Sequence, residues 1–324
     1  MSFTLRHLLG TESLSRDEIT FLLDQSRAFQ GIQKQPLKKL ATLRGKSVVL
    51  AFFETSTRTR ISFGTAAARL GADTMNLQAE SSSTQKGESL SDTVRTLEAM
   101  KPDVIVIRHA SSGAPHFIAE RLGIPVINAG DGLHEHPTQG LLDALTISDR
   151  LGRLDNLNFT IVGDIRHSRV ARSNIHVLSK FGCRTTLCGP AMWLPPEMSC
   201  IAPNVRIEPR LEEALRGAHI VMVLRVQTER LKEPALPADE YIRLYQMTPA
   251  RLALARPDAV LMHPGPMIRG LEIDPAVADS PQSAVLDQVT NGVAVRMAIL
   301  YLLASAAPSA GSAPGAAPAG SAAD

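Results

Sequence analysis

The sequence predicts an α/β protein of two doubly wound parallel-sheet domains joined by interdomain helices. Short β-branched runs alternate with helix-length segments, and they do so in two series separated by one long helical pattern. A chain of 324 residues, 44% of them hydrophobic, is also long enough for two cores. The first series of strands is Val48 to Phe53, Asp73 to Leu77, Val104 to Ile107 and Val126 to Asn128. The second is Phe159 to Val162, Thr185 to Leu187, His219 to Leu224 and Ala259 to Met262. Between them, Pro137 to Leu151 reads as a helix that ties the domains together, with proline suited to its first turn and Leu141, Leu142 and Leu145 along it. Val289 to Leu303 reads as a last, apolar helix that must pack on something. The expected division is residues 1–150 with 289–304 as one domain and 151–288 as the other. From Ser305 to Asp324 the chain is almost entirely Ala, Pro, Gly and Ser, which buries too little surface to order itself, and a disordered tail is expected.

Composition narrows the function classes. Lys plus Arg number 34 against 32 Asp plus Glu, so no overall basic field exists to hold nucleic acid or an anionic membrane, and any anion binding is local. Cys183, Cys188 and Cys200 fit neither a disulfide framework nor a zinc site and suit reduced thiols. No apolar run approaches the ~20 residues that span a bilayer, and Met1-Ser2-Phe3-Thr4 lacks a secretory apolar region. A cytoplasmic protein is expected.

The most informative stretch is Phe53-Glu54-Thr55-Ser56-Thr57-Arg58-Thr59-Arg60, between a strand and an alanine-rich helical run. Unpaired N–H groups and the positive dipole end of a helix N-terminus, with hydroxyls and two guanidinium groups added, make a cradle for a phosphate. An ordinary N-cap explains one hydroxyl but not two close arginines, which repel unless an anion lies between them. Ser81 to Ser89 is a polar loop in which Lys86 is free to reach. Arg108-His109 ends a parallel strand, where open sheets bind ligands. His134-Glu135-His136-Pro137-Thr138-Gln139 starts a helix. A metal on its two histidines lacks further ligands in the sequence, so no metal is expected and His136 is assigned a hydrogen-bonding role. Gly163-Asp164-Ile165-Arg166-His167-Ser168-Arg169 stands where a cofactor loop would stand but lacks the dinucleotide glycine spacing; no cofactor is expected. Its arginine and the one in Leu224-Arg225-Val226-Gln227 end two strands and together suit a dicarboxylate. His263-Pro264-Gly265-Pro266 is a rigid turn whose carbonyls can accept from an amide or amine.

Ser56-Thr57-Arg58-Thr59-Arg60, Lys86-Gly87-Glu88, Arg108-His109, His136-Pro137-Thr138-Gln139, Arg169, Arg225-Val226-Gln227 and His263-Pro264-Gly265-Pro266 occur in the order seen in transcarbamoylases. From about Leu5 to Leu303 the chain resembles that family, with the later motifs resembling its aspartate rather than its ornithine type. The resemblance implies a transcarbamoylase-like fold, with carbamoyl phosphate on the first domain and aspartate on the second. It implies that Ser56, Thr57, Arg58 and Thr59 bind the phosphate, that Arg108 helps neutralise it, and that Thr59, Arg108 and His136 donate to the carbamoyl oxygen. Gln139 and the carbonyls of Pro264 and Gly265 would hold the carbamoyl amide, and Arg169, Arg225 and Gln227 the aspartate carboxylates. Ser82 and Lys86 would enter the site of a neighbouring subunit, making a homotrimer with shared sites. The sequence leaves open a larger assembly with regulatory or dihydroorotase-like chains. Carbamoyl transfer to ornithine is the rival acceptor reading, and a catalytically silent scaffold subunit the rival from another class. A nicotinamide oxidoreductase fails for want of a glycine fingerprint.

Overall fold

The computed structural model describes residues 5–78, 89–226 and 236–306. The chain runs α1 (Arg16–Gln33), β1 (Ser47–Phe52), α2 (Thr57–Leu70), β2 (Asp73–Gln78), α3 (Leu90–Ala99), β3 (Val104–His109), α4 (Ala114–Ala119), β4 (Val126–Asp131) and α5 (Pro137–Leu151). It continues β5 (Asn158–Val162), α6 (Arg169–Ser179), β6 (Arg184–Cys188), β7 (Val205–Ile207), α7 (Leu211–Leu215), β8 (Ile220–Val223), α8 (Ala238–Tyr245), α9 (Pro249–Leu252), β9 (Val260–Met262), α10 (Pro275–Ala278) and α11 (Val285–Ala306). Two wholly parallel sheets result, one ordered β2-β1-β3-β4 and the other β7-β6-β5-β8-β9.

In each sheet the central strands read as near-continuous apolar runs because helices cover both faces, as β1, β3, β5 and β8 show by their burial. The strand order reverses between β1 and β3 in the first sheet and between β5 and β8 in the second. Ligands of open α/β sheets bind in the crevices outside the carboxyl ends of such strands.

Three elements differ from the sequence reading. β7 was not expected: it is a three-residue edge strand, half exposed, and so carries no apolar signal. α1 was not assigned either, although Ser15 and Glu18 form a reciprocal capping box at its start. The last helix begins four residues early, at Val285, and carries through Ser305 and Ala306, so the start of the expected tail is helical. Residues 307–324 lie outside the described part. α11 packs against α1, α2 and α5, which accounts for its apolar circumference.

Candidate active site

Six of the nine strands among the described residues lead into the segments that matter, and all do so from their carboxyl ends. Glu54 and the start of α2 follow β1, Arg108 is in the last turn of β3, and the 131–136 loop follows β4. On the second sheet Arg169 follows β5, Arg225 follows β8 and His263 follows β9. Both crossover crevices are therefore lined by basic side chains.

At α2 the cap geometry separates a structural from a binding role for the hydroxyls. Ser56 is the N-cap residue, yet its side chain makes no capping hydrogen bond, and the first turn carries no acidic residue to offset the dipole. Thr57 and Arg58 are exposed, and Thr59 is buried. Arg58 reaches across to the second domain: a Cβ placed on Gly265 would sit 3.0 Å from its Nη1, and Gly265 has φ +71°. Glycine there lets the guanidinium lie on the backbone of the His263-Pro264-Gly265-Pro266 turn.

Arg108 and Arg169 are both buried, at 8% and 6% exposure, and they converge on one carboxylate. Glu54 Oε1 accepts from Arg108 Nη2 at 3.0 Å and from Arg169 Nη2 at 2.8 Å, while Oε2 accepts from Arg169 Nη1 at 3.2 Å. Arg108 Nη1 also donates to the Ala129 carbonyl. Both guanidinium groups rest on Gly130, where a Cβ would lie 3.0 Å from Arg108 Nη1 and 3.1 Å from Arg169 Cζ, at φ +118°. Glu54 thus ties the first sheet to the second. It lies inside the informative stretch but had no assigned role; its place directly after β1 was the available signal.

His136 caps α5 with its backbone N–H held by Ser173 Oγ at 2.8 Å. Burial, reinforced by the charges of Arg108, Arg169 and Arg296, holds its imidazole well below the usual range, so the ring is neutral. Its buried Nδ1 has no partner among the described residues, the mark of a group that serves a ligand rather than the fold. Gln139, one turn on, donates Nε2 to Asp143 Oδ1 at 2.9 Å, which turns its carbonyl oxygen the other way. His263 Nδ1 accepts from Gly265 N at 2.8 Å, and its Nε2 faces Glu272 Oε1 at 3.2 Å, fixing the Nε2–H tautomer. Burial is the main cause that lowers the His263 pKa; Glu272 opposes it, and Arg58 and Arg225 add to it, placing both arginines close to this turn.

Beneath these groups lies a buried polar hub that the sequence reading did not identify. Asp143 accepts from Gln139, from Asn174 on α6 and from Gln288 on α11, and Gln288 Oε1 in turn accepts from His263 N. Arg296 donates to Ser62 and Thr138 and lies 5.2 Å from the Phe63 ring. A lone acid between Leu142 and Ala144, and a lone arginine in an apolar helix, were the signals. Burial pushes the Asp143 carboxyl up to about 6 in spite of its three donors. Because the folded chain then holds a proton that the unfolded chain releases near pH 4, this group's contribution to stability is present at low pH and is lost as pH rises through about 6. Chemical denaturation of wild type and Asp143→Asn between pH 4 and 7 is expected to show wild type gaining on the variant as pH falls, by up to about 3 kcal/mol. A constant difference between the two would refute this assignment.

Ser82, Lys86 and Gln227 lie outside the described residues. Of the other expected residues, Ser56, Thr57, Arg58, Thr59, Arg108, His136, Gln139, Arg169, Arg225, Pro264 and Gly265 all stand at the carboxyl-end crevices of the two sheets.

Residues 6–149 match the family model described as aspartate/ornithine carbamoyltransferase, carbamoyl-P binding domain, and residues 155–303 match that of its Asp/Orn binding domain. The chain belongs to the aspartate/ornithine carbamoyltransferase family. It is 57% identical over 293 residues to the aspartate carbamoyltransferase catalytic subunit of Solibacter usitatus, covering 90% of this chain and 97% of that one. It is 53% identical over 304 residues to the corresponding subunit of Syntrophotalea carbinolica, covering 94% and 96%. Among solved members of the family, aspartate transcarbamoylase from Trypanosoma cruzi in complex with carbamoyl phosphate and aspartate superposes with a TM-score of 0.83 at 31% identity, over 92% of this chain and 95% of that one. Ornithine carbamoyltransferase from Pyrococcus furiosus superposes with a TM-score of 0.85 at 27% identity, over 94% and 99%. The carbamoyltransferase fold is therefore common to both acceptor types, and the acceptor must be read from side chains.

Proposed function

We propose that this chain transfers the carbamoyl group of carbamoyl phosphate to the α-amino group of L-aspartate, giving N-carbamoyl-L-aspartate and phosphate, an early step of pyrimidine biosynthesis. The observation that carries this reading is the convergence of Arg58, Arg108, Arg169 and neutral His136 at the carboxyl ends of two parallel sheets. A phosphate dianion and a dicarboxylate both need such a field; a cationic acceptor side chain does not. The high identity to subunits named for aspartate supports the same acceptor.

In this mechanism the phosphate sits at the start of α2 on Ser56, Thr57, Arg58 and Thr59, with Arg108 beside it. His136, as a neutral imidazole, donates its N–H to the carbamoyl oxygen and does not compete for the proton of the attacking amine. Gln139, through its carbonyl oxygen, and the carbonyls of Pro264 and Gly265 orient the carbamoyl NH₂. Arg169, Arg225 and Gln227 hold the aspartate carboxylates so that its neutral amine faces the carbonyl carbon. Attack yields a tetrahedral oxyanion stabilised by the Thr59, Arg108 and His136 donors, and its collapse breaks the carbon–oxygen bond to phosphate, whose leaving oxygen takes the proton that the amine nitrogen gives up. No side-chain nucleophile takes part. Alignment of two bound substrates supplies ~7–11 kcal/mol of rate enhancement at its upper end, and each oxyanion donor ~3–4 kcal/mol.

Arg225→Ala is expected to raise the aspartate KM by about two orders of magnitude, the loss of a bidentate charged contact, while leaving the carbamoyl phosphate KM within a few-fold. Carbamoyl-product and phosphate release should be assayed with aspartate and ornithine in parallel. Turnover with ornithine would overturn the acceptor assignment, and silence with both would overturn catalysis altogether. The homotrimer implied by Ser82 and Lys86 is part of the same proposal. It is tested by mixing inactive Arg58→Ala and Lys86→Ala chains, which should regain activity if sites are shared. A cytoplasmic setting is proposed from the free thiols Cys183, Cys188 and Cys200. No described helix is long and apolar enough to cross a membrane.

A further inference from the structure

His134 does not pair with His136 as a metal-binding His-x-His would. Its Nδ1 instead meets Asp131, the last residue of β4, at 3.1 Å from Oδ2 and 3.3 Å from Oδ1. A second imidazole, His116 on α4, completes a cluster in which one ligand atom from each residue lies within 4.8 Å of the others. The two rings meet edge to face with centroids 5.6 Å apart. His116 is exposed, His134 half-exposed and Asp131 fully buried, so the cluster opens to solvent on one side only.

We propose that His116, Asp131 and His134 form a binding site for a divalent transition-metal ion, with Zn²⁺ as its type. The donor set of two imidazoles and one carboxylate suits Zn²⁺, Ni²⁺, Co²⁺ or Cu²⁺ and disfavours the oxygen-seeking Mg²⁺ and Ca²⁺. One edge of the coordination geometry is already in place. Metal–nitrogen and metal–oxygen bonds of ~2.0–2.2 Å in a tetrahedron put neighbouring ligand atoms about 3.3 Å apart. The 3.1 Å separation of His134 Nδ1 and Asp131 Oδ2 is already near such an edge, and the ion takes the place of the proton shared between them. His116, on the exposed side, has the rotamer freedom to close the third position, and water fills the fourth.

An outer shell is already built, as metal sites require. The Asp131 carboxylate accepts on Oδ1 from Asn128 Nδ2 at 2.8 Å and Glu135 N at 3.1 Å and on Oδ2 from Gly113 N at 2.7 Å, which fixes its plane while leaving a lone pair of Oδ2 for an ion. The loop bearing His134 is pinned as well. Leu133 N donates to Ser112 Oγ at 3.1 Å, and Gly132, at φ +44°, approaches Ser112 so closely that a Cβ would lie 2.4 Å from its hydroxyl. None of these residues enters the carbamoyl-transfer reading, and the inference does not depend on it. The sequence hides the set because its members stand 15 and 3 residues apart on a helix, a strand end and a loop.

The test uses the tag-free full-length protein, stripped of metal by a chelator and dialysed. It is titrated with Zn²⁺ against a chromophoric competitor, in a Cys200→Ser background that removes the exposed thiol. One Zn²⁺ per chain is expected, together with a Zn²⁺-dependent rise in thermal midpoint. His116→Ala, which alters an exposed side chain and leaves the fold intact, and His134→Ala should each weaken binding by more than about tenfold and abolish the rise. Affinity unchanged in His116→Ala, or no uptake by the unsubstituted site, would overturn the proposal.

Discussion

Arg58→Ala is expected to lower affinity for carbamoyl phosphate by about two to four orders of magnitude, from two charge-assisted hydrogen bonds worth ~1.5–3 kcal/mol each. The loss should appear in the KM for carbamoyl phosphate and in the binding of N-(phosphonacetyl)-L-aspartic acid, which is bound in the Trypanosoma cruzi relative. The fold should survive, because Arg58 is exposed and lies on Gly265 without carrying a buried network. Arg58→Lys restores charge but not the planar fork, so it should recover only part of the affinity. An Arg58→Ala chain that binds the analogue as wild type does would remove the phosphate from the start of α2.

Glu54→Ala is expected to be nearly as damaging for a different reason. One carboxylate bridges Arg108 and Arg169, both almost fully buried, and its removal deletes the negative charge that the two guanidinium groups share. Breaking a buried pair by deleting one partner costs about 3–5 kcal/mol, and here two cations lose the same partner. The expected outcome is a fall in kcat/KM of about 10²–10³-fold, shared between both substrates if, as proposed, Arg108 serves the first and Arg169 the second. The thermal midpoint should fall for the substrate-free variant and recover when N-(phosphonacetyl)-L-aspartic acid supplies replacement negative charge. Steady-state kinetics and thermal melts with and without that compound check both parts. Wild-type kinetics in Glu54→Ala would show that the bridge is incidental.

The strands and the hydroxyl- and arginine-rich turn after β1 were legible because their signals are local. Buried parallel strands read as apolar, β-branched runs, and the start of α2 gathers hydroxyls and arginines with no acid in its first turn, within the five residues from Ser56 to Arg60. Arg169 and Arg225 were legible as strand-end residues for the same reason. Short elements with half-exposed residues, such as β7, gave no such signal, because an edge strand has no face that must be apolar.

The alternation along the chain is enough to build two parallel sheets and to place particular side chains at their carboxyl ends. Those follow from backbone hydrogen bonding and from which faces must be dry. Packing in three dimensions is what brings Glu54 onto Arg108 and Arg169, joins Asp143 to Gln139, Asn174 and Gln288, keeps His136 neutral and sets His134 beside His116 and Asp131. Each of these sets brings together residues far apart in the chain. Their charge states and partners depend on burial and on distances of about 3 Å, which no spacing along the sequence encodes.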